Sequence, residues 1–523
     1  MDMKTIKKLT ALMLSLVMML ALGVTAFAED NGGAATTCTI IAPATTHQYE
    51  IYQIFTGDLS GQTLSNVKWG ENGAGTKGTA VDETTLNSLK NINFTNNQDI
   101  LKIVVPLAKL NSTPVSTISN QERYTGAAGY YLIKDKDKSV SSNDSYTTYI
   151  VKAVGNVTIT PKSNVPSFEK KLKDINDTTD TDYTEWQDSA DYDIGDKIPF
   201  KLEGTVAANY ADYKQYYFAF HDKEEQGLTF DPTSVKVYVD QSTTPIDTLN
   251  YTVATEHLGD SCTFEIIFSN LKNIEAVKPG SKIRVEYTST LNEKAVIGNQ
   301  GNVNTAKLEF SNNPNEEQKG TDKPSTGETP WDNVIVFTYK LVVNKIDSNN
   351  NALTGAAFEL QKKNTSNVFE TVALVNATKD EHGKYTLTSN TVTSFEWKGV
   401  DDGDYRLKEV ITPAGYNTID PITFTVNANH TITWDGSNRT DVLKSLTGTL
   451  SGEITFTQGT TETPEGQQIL TSGELATNVI NKTGAELPST GGMGTTIFYV
   501  VGTILVLAAV VLLITKKRMH ADK

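Results

Sequence analysis

Cysteine and histidine are scarce in this sequence. Only two cysteines, Cys38 and Cys262, occur among 523 residues, and they lie far apart along the chain. This excludes a network of disulfides, so any covalent reinforcement has to come from other side chains. The six histidines form no His-Glu-x-x-His zinc motif, and neither a nucleophile elbow nor a Gly-rich phosphate loop is present. We therefore expect no enzyme, no cofactor and no metal.

Positive charge is also limited. The 46 Lys and Arg residues are outnumbered by 62 Asp and Glu residues, which gives a net charge of -16 and a pI near 5.0. This balance argues against nucleic acid or an anionic membrane surface as a partner. The length of 523 residues, with 38% hydrophobic and 21% charged residues, is typical of about three soluble globular domains.

Long apolar runs occur only at the two ends. Three lysines precede the apolar stretch Leu9–Val24, and Ala26-Phe27-Ala28 follows it as a signal-peptidase site, so residues 1–28 are predicted to be a signal peptide. Near the other end, the uncharged stretch Ile497–Ile514 is about long enough for one bilayer crossing, and three basic residues follow it. Residues 492–523 are therefore predicted to be a membrane span with a cytoplasmic basic tail, and the chain between the two ends is predicted to be extracytoplasmic.

A short motif stands directly before the C-terminal apolar run. It consists of Leu487, Pro488, Ser489, Thr490 and Gly491. Leu-Pro-x-Thr-Gly, an apolar span and a basic tail, in that order, resemble the cell-wall sorting signal of Gram-positive surface proteins. The resemblance implies that a membrane-bound sortase cuts after Thr490, holds the chain there as an acyl-enzyme, and finally joins it to peptidoglycan.

The residues between the two ends are predicted to form strands almost throughout. Segments such as "KLVVNKID" and "DYRLKEVIT" alternate apolar and polar residues and are bounded by Gly, Asn and Asp turns. This pattern predicts a mainly β chain of three tandem immunoglobulin-like sandwiches over 29–161, 162–331 and 332–486. Some helix is expected in the first domain, around "DETTLNSLKNI" and "NNQDILKIVVPLAKLN".

The third domain carries the most specific pattern. "LVVNKID", "GAAFEL", "GDYRLKEVITPAGYN" and "TNVINKTG" resemble the B-type repeat of collagen adhesins, an inverse immunoglobulin-like sandwich. The resemblance implies an intramolecular amide between Lys345 on the first strand and Asn481 on the last, assisted by Glu409. Alternation puts Lys345 on the same strand face as Val343, and Asn481 on the same face as Val479. First and last strands can be neighbours in a sandwich, so the two side chains could meet in the core.

Elementary chemistry supports this reaction independently. Burial disfavours the charged form of a lysine and lowers its pKa, so a neutral, nucleophilic amine becomes accessible. A nearby acid can polarise the carboxamide and shuttle protons while ammonia leaves. The competing interpretation is a half-exposed lysine beside a solvated carboxylate, which alternating strands produce routinely.

The middle domain resembles that of Gram-positive shaft pilins, in which a Lys, an Asn and an acid again form an amide. The matching residues are Lys170, Asn304 and Asp222. Four alternatives stay open from the sequence: Glu203 as the acid, Asn302 or Asn312 as the amide, and Lys171 as the amine. The first domain shows no comparable triad.

The segment "VTITPKSNVP" resembles the pilin motif, in which a Lys resolves the sortase acyl-enzyme. Lys162 and Pro161 match the motif, whereas Thr160 stands where Tyr is usual. A charged linker lysine is the competing interpretation. Together the resemblances imply a major pilus subunit on the cell wall of a Gram-positive bacterium. Its expected partners are sortase, further copies of itself, peptidoglycan, and possible minor pilins and surface ligands. A monomeric wall-anchored adhesin is the alternative, and a wall-attached hydrolase is a remote one.

Overall fold

The computed structural model describes most of the chain between residue 37 and residue 511. The described residues are 37–60, 63–90, 92–93, 96–153, 156–161, 164–179, 181–182, 185–316, 323–430, 434–435, 438–439, 445–450, 457–458, 461–462, 468–469, 473–484 and 499–511. The predicted signal peptide, Lys162 and the motif 487–491 lie outside the described residues. In the part of the chain that is described, no helix is long and apolar enough to cross a membrane; residues 499–511 form a short helix.

The first domain is built from two sheets and a helical segment. Its strands are β1 (Thr37–Ile41), β2 (Gln48–Ser60), β3 (Thr63–Trp69), β4 (Ser116–Ser119), β5 (Arg123–Ala127), β6 (Gly129–Asp135), β7 (Ile150–Ala153) and β8 (Asn156–Thr158). One sheet has the order β5-β1-β8, and the other has the order β3-β2-β6-β7 with β4 added to β2. Along β2, Tyr49 and Ile51 enter one apolar cluster, whereas Tyr52 and Ile54 enter another. The period-two alternation of one strand therefore serves two cores.

Helix occurs in the first domain where the sequence predicts it. Helix α1 (Glu83–Leu89) begins after Asp82, whose carboxylate accepts a hydrogen bond from the Thr85 backbone N–H at 2.9 Å and so caps the first turn. Helix α2 (Asn97–Asp99) continues through a π-helical turn, Ile100–Val104, into a 3₁₀ turn, Val105–Leu107.

The middle domain is a sandwich of a seven-stranded and a four-stranded sheet. Its strands are β9 (Phe168–Leu172), β10 (Ile175–Asn176), β11 (Thr181–Asp182), β12 (Ser189–Asp191), β13 (Lys197–Thr205), β14 (Phe218–Glu224), β15 (Leu228–Val239), β16 (Thr252–Ala254), β17 (Phe264–Phe268), β18 (Lys282–Leu291), β19 (Asn302–Ser311), β20 (Thr326–Glu328) and β21 (Asp332–Phe337). Three 3₁₀ turns, Tyr210–Asp212, Thr248–Asn250 and Leu271–Asn273, join them. The larger sheet has the order β12-β21-β19-β14-β17-β16 with β20 on β19, and the smaller has the order β15-β18-β13-β9.

Strand β21 contributes to two cores. It is hydrogen-bonded between β12 and β19 in the middle-domain sheet, although the predicted boundary assigns it to the third domain. Val334 and Val336 enter the middle core, whereas Ile335 and Phe337 enter the core of the third domain. A strand that is buried on both faces reads as a continuous apolar run, and "VIVF" is such a run.

The third domain is a sandwich of a four-stranded and a five-stranded sheet. Its strands are β22 (Tyr339–Asp347), β23 (Ala357–Lys363), β24 (Phe369–Val375), β25 (Ala377–Lys379), β26 (Tyr385–Leu387), β27 (Ser394–Val400), β28 (Gly403–Ile411), β29 (Ile422–Asn429), β30 (Trp434–Asp435), β31 (Asn438–Arg439), β32 (Ser445–Leu450), β33 (Thr457–Gln458), β34 (Thr461–Glu462), β35 (Gln468–Ile469) and β36 (Glu474–Asn481). The sheets have the orders β27-β22-β36-β33 and β24-β23-β28-β29-β32. The predicted mainly β, tandem-sandwich architecture is thus confirmed.

Candidate functional site

The first candidate site lies where the first and last strands of the third domain meet. Strands β22 and β36 run parallel, and Lys345 stands opposite Val479, two residues before Asn481. The side chains of Lys345 and Asn481 are both fully buried. The Lys345 Nζ atom donates a hydrogen bond to the backbone carbonyl of Val479 at 2.8 Å.

Glu409 on β28 reaches the carboxamide of Asn481. Asn481 Nδ2 donates to Glu409 Oε2 at 3.1 Å and to Asn417 O at 2.9 Å. The same carboxylate oxygen accepts from Thr412 Oγ1 and from Ile419 N, both at 3.2 Å. Glu409 Oε1 and Asn481 Oδ1 are buried without a hydrogen-bond partner among the described residues. Hydrogen bonds therefore hold the Glu409 carboxyl against the Asn481 carboxamide. The carbonyl oxygen of this carboxamide is left available for polarisation.

The electrostatics of this site make the uncharged form of the Lys345 amine more accessible. Burial lowers the pKa of Lys345 to about 8, although the nearby Glu409 carboxyl acts in the opposite direction. A neutral amine is a nucleophile, whereas an ammonium is not. The arrangement therefore holds the three groups that amide formation requires.

The second candidate site lies inside the middle sandwich. Lys170 on β9, Asp222 on β14 and Asn304 on β19 are all fully buried. Lys170 Nζ donates to Asp222 Oδ2 at 2.5 Å, and the Asn304 carboxamide lies beside the same carboxyl. Here the acid contacts the amine directly, so it can accept the proton that the amine must lose.

Two polar residues that sequence reasoning missed complete this site. The Tyr287 hydroxyl accepts from Lys170 Nζ at 2.8 Å and from Asn304 Nδ2 at 3.0 Å, and it donates to Asp222 Oδ2 at 2.7 Å. Glu224 accepts from Asn304 Nδ2 at 3.3 Å and from the Ser289 hydroxyl. Alternation along β18 predicts that Tyr287 points inward, and a buried tyrosine hydroxyl needs a polar partner. This alternation could therefore have identified Tyr287 as a residue of the site.

Burial dominates the titration of the second site. It lowers the pKa of Lys170, against the opposing effect of Asp222, and it raises the pKa of Asp222 against the effect of Lys170. Burial, reinforced by Asp222, also raises the pKa of Glu224 to about 8. Each shift favours the neutral form of its group, as expected in a water-poor interior.

Comparison with known families identifies the domains that carry these sites. Residues 194–314 match the family model of the Cna-B-like domain of Gram-positive pilin backbone subunit 2. Residues 339–440 match a prealbumin-like fold domain, and residues 480–520 match the LPXTG cell wall anchor motif. The chain therefore carries a Gram-positive pilin backbone domain together with a cell wall anchor motif. It is a structural subunit of a sortase-assembled pilus and is attached to the cell wall.

This backbone pilin has relatives in Streptococcus pyogenes. It is 25% identical over 405 residues to the trypsin-resistant surface T6 protein of serotype M6, which covers 68% of this chain and 70% of the relative. The solved structure of the T6 backbone pilin, described as modular and three-domain, superposes with a TM-score of 0.51 at 18% identity. That match covers 87% of this chain and 100% of the other. The structural likeness supports the tandem fold.

The pilin structure places the alternative residues of the middle domain away from Lys170. Asn302 is bound to the backbone of Val296 and Val336. Asn312 donates to Asp144 O. These two amides are thus held by backbone groups elsewhere in the fold.

The alternative acid and amine are held in ion pairs. Glu203 accepts from Lys282 at 2.5 Å, and Lys171 pairs with Asp188 at 2.6 Å. The residues that the structure brings together are therefore Lys170, Asp222 and Asn304. Both cysteines of the pilin are free thiols.

Proposed function

We propose that this pilin polymerises covalently, with Thr490 of one copy joined to Lys162 of the next. Sortase would form the acyl-enzyme at Thr490, the Lys162 amine would displace the enzyme, and the last subunit would be passed to peptidoglycan. Such a head-to-tail contact is heterologous and does not close, so it propagates into a fibre. The matched pilin backbone domain and the matched anchor motif support this proposal.

Each subunit would be reinforced by two internal amides. In each, the lysine Nζ attacks Cγ of the asparagine, a C–N bond forms, the Cγ–Nδ2 bond breaks, and ammonia leaves with one hydrogen from the amine. The pairs are Lys170 with Asn304, assisted by Asp222, and Lys345 with Asn481, assisted by Glu409. The observation that carries this assignment is that both lysines are fully buried, each in one cluster with an acid and an asparagine.

The reinforced strands are those that carry force along a fibre. Lys345 and Asn481 lie on the first and last strands of the third domain, and Lys170 and Asn304 lie near the two ends of the middle domain. A covalent bond between such strands would transmit tension without loading the hydrogen bonds of the sheets. Adhesion by a mechanically resistant fibre is the expected use, with minor pilins and surface ligands as further partners.

The polymer is tested by an immunoblot of cell-wall extract boiled in SDS and reductant. We expect a high-mass ladder from the native chain and a single wall-linked band from Lys162→Ala. Lys136→Ala, which removes an exposed lysine of the first domain, is the matched control and should keep the ladder. A single band from every chain would contradict the proposal and favour a monomeric wall-anchored adhesin. A ladder from Lys162→Ala would move the acceptor to another lysine.

A further inference from the structure

A histidine and two carboxylates meet where the middle and third domains pack together. His430 follows β29 of the third domain, whereas Asp174 and Asp191 belong to the middle domain. One ligand-type atom from each of the three lies within 4.8 Å of the others. All three side chains are largely buried, with exposed fractions of 11%, 15% and 2%. Neither amide site uses this cluster.

Ser189 determines which nitrogen of His430 faces the carboxylates as an acceptor. The Ser189 hydroxyl donates its only proton to the His430 backbone carbonyl at 2.6 Å. It lies 2.9 Å from His430 Nδ1, so it can only accept there, and Nδ1 must carry a hydrogen. In the neutral ring, Nε2 would then direct a lone pair at two carboxylates. A cation between them removes that repulsion.

The distances suit a metal ion better than a direct ion pair. His430 Nε2 is 3.3 Å from Asp191 Oδ1 and 3.5 Å from Asp174 Oδ2. Charge-assisted N–H···O bonds are usually about 2.7–2.9 Å long. A tetrahedral Zn²⁺ with bonds of about 2.0–2.2 Å separates neighbouring ligand atoms by roughly 3.3–3.5 Å.

The surroundings orient the ligands and supply excess negative charge. The second oxygen of Asp191 accepts from the Asp402 backbone N–H at 3.1 Å, which fixes the carboxylate as metal-site outer partners do. The Asp402 carboxyl lies near both ligand carboxylates. The fully buried Tyr339 phenol also lies beside Asp191, and its oxygen has no hydrogen bond of standard geometry among the described residues.

We propose that His430 Nε2, Asp174 and Asp191 bind a divalent first-row metal ion of the Zn²⁺ type. One imidazole and two carboxylates suit Zn²⁺, whereas Ca²⁺ prefers six to eight oxygen ligands. The ion would join the middle domain to the third domain non-covalently, next to the covalent reinforcement within each. A proton on Nε2 is the competing occupant, because the two carboxylates, acting against burial, raise the pKa of His430 to about 10.

The proposal is tested by titrating EDTA-treated full chain with ZnCl₂ in a calorimeter. We expect one site per chain, with affinity reduced at least a hundredfold in His430→Ala. Ser189→Ala removes no ligand and only frees the imidazole, so it should weaken binding roughly 10–100-fold; it also serves if His430→Ala fails to fold. The matched control is His221→Ala, which removes a different buried histidine that lies 3.1 Å from Asp260 and from Glu309, and it should leave the affinity unchanged.

X-ray absorption of the zinc-loaded chain gives an independent result. We expect nitrogen and oxygen ligands only. A sulfur ligand at about 2.3 Å would place the ion at the second cluster, His221, Asp260 and Cys262, and would overturn the proposal. Absence of zinc binding, or equal binding by His430→Ala, would also overturn it and leave the proton as the occupant.

Discussion

The two proposed amide sites hold their lysines in different ways. In the middle domain the acid binds the amine, with Asp222 Oδ2 2.5 Å from Lys170 Nζ. In the third domain the acid binds the carboxamide, with Glu409 Oε2 3.1 Å from Asn481 Nδ2, and the only hydrogen bond of the lysine amine to a described residue goes to a backbone carbonyl. In the proposed reactions the acid would therefore start on the nucleophile in the middle domain and on the carboxamide in the third domain.

A third buried lysine shows that burial alone does not make an amine reactive. Lys362 is also buried, with 6% of its surface exposed, but Asp177 and Asp193 lie 2.6 and 2.8 Å from its Nζ, and Asp401 is also in contact. Burial acts to lower the pKa of Lys362, yet these carboxylates together raise it. Lys362 therefore stays an ammonium, and no asparagine is hydrogen-bonded to it among the described residues. The number of carboxylates around the amine therefore determines whether a buried lysine stays in an ion pair or can act as a nucleophile.

The largest expected effect comes from removing either acid. Asp222→Ala should abolish only the middle-domain bond and Glu409→Ala only the third-domain bond. Each variant should be heavier, by one ammonia, than its substitution alone accounts for in an intact-mass spectrum. Closing a loop of about 100 residues stabilises a fold by about 5 kcal/mol in chain-entropy terms, so the affected domain should unfold at much lower denaturant concentration.

Lys362→Met is the matched control for that comparison. This variant removes a buried lysine that is held in an ion pair, so the mass of the chain should change by the substitution alone. An additional ammonia in Lys362→Met would show that this lysine also reacts. A native mass deficit in Asp222→Ala or Glu409→Ala would contradict the role given to the acid.

Much of the two sites could be predicted from the sequence because strands alternate. Parity alone put Lys345 on the face of Val343 and Asn481 on the face of Val479, and all four are buried. The resemblance of "KEVITPAGYN" to a known repeat pointed to Glu409. In the middle domain the sequence left several candidates open, because which strands become neighbours depends on sheet order.

Other features could not be found without the sheet order. Glu224 is opposite Asn304 only because β14 pairs with β19 in one particular register, which local pattern does not specify. The contacts of Lys362 with Asp193 and of His430 with Ser189 connect residues more than 160 positions apart in the chain. Such clusters arise from the packing of two domains and have no local sequence signal.

The pH dependence of bond formation should separate the two sites. Asn304→Ala leaves only the third-domain bond, and Asn481→Ala leaves only the middle-domain bond. For an amine with a pKa of about 8, the neutral fraction rises about fiftyfold between pH 6 and pH 8. The rate of ammonia loss after refolding should follow that rise in Asn304→Ala, whereas Asn481→Ala should show a much flatter profile because Asp222 takes up the proton within the site. The rates are measured as mass against time at each pH. An equal pH dependence of the rate in the two variants would contradict the proposed difference between the two sites.

The smallest predicted effect tests the Tyr287 hydroxyl, since no described residue places a hydroxyl against Lys345 in the same way. Tyr287→Phe removes three hydrogen bonds of the middle site, to Lys170, Asp222 and Asn304, but keeps the ring that packs against Phe200. Leaving buried polar groups unsatisfied costs about 1–3 kcal/mol, and 1.4 kcal/mol in the barrier is about tenfold in rate. The middle-domain bond should therefore form about tenfold more slowly, while the third-domain bond of the same molecule forms at its native rate. If Tyr287→Phe leaves the middle-domain rate unchanged, the hydroxyl only fills the site, and Asp222 alone positions the amine.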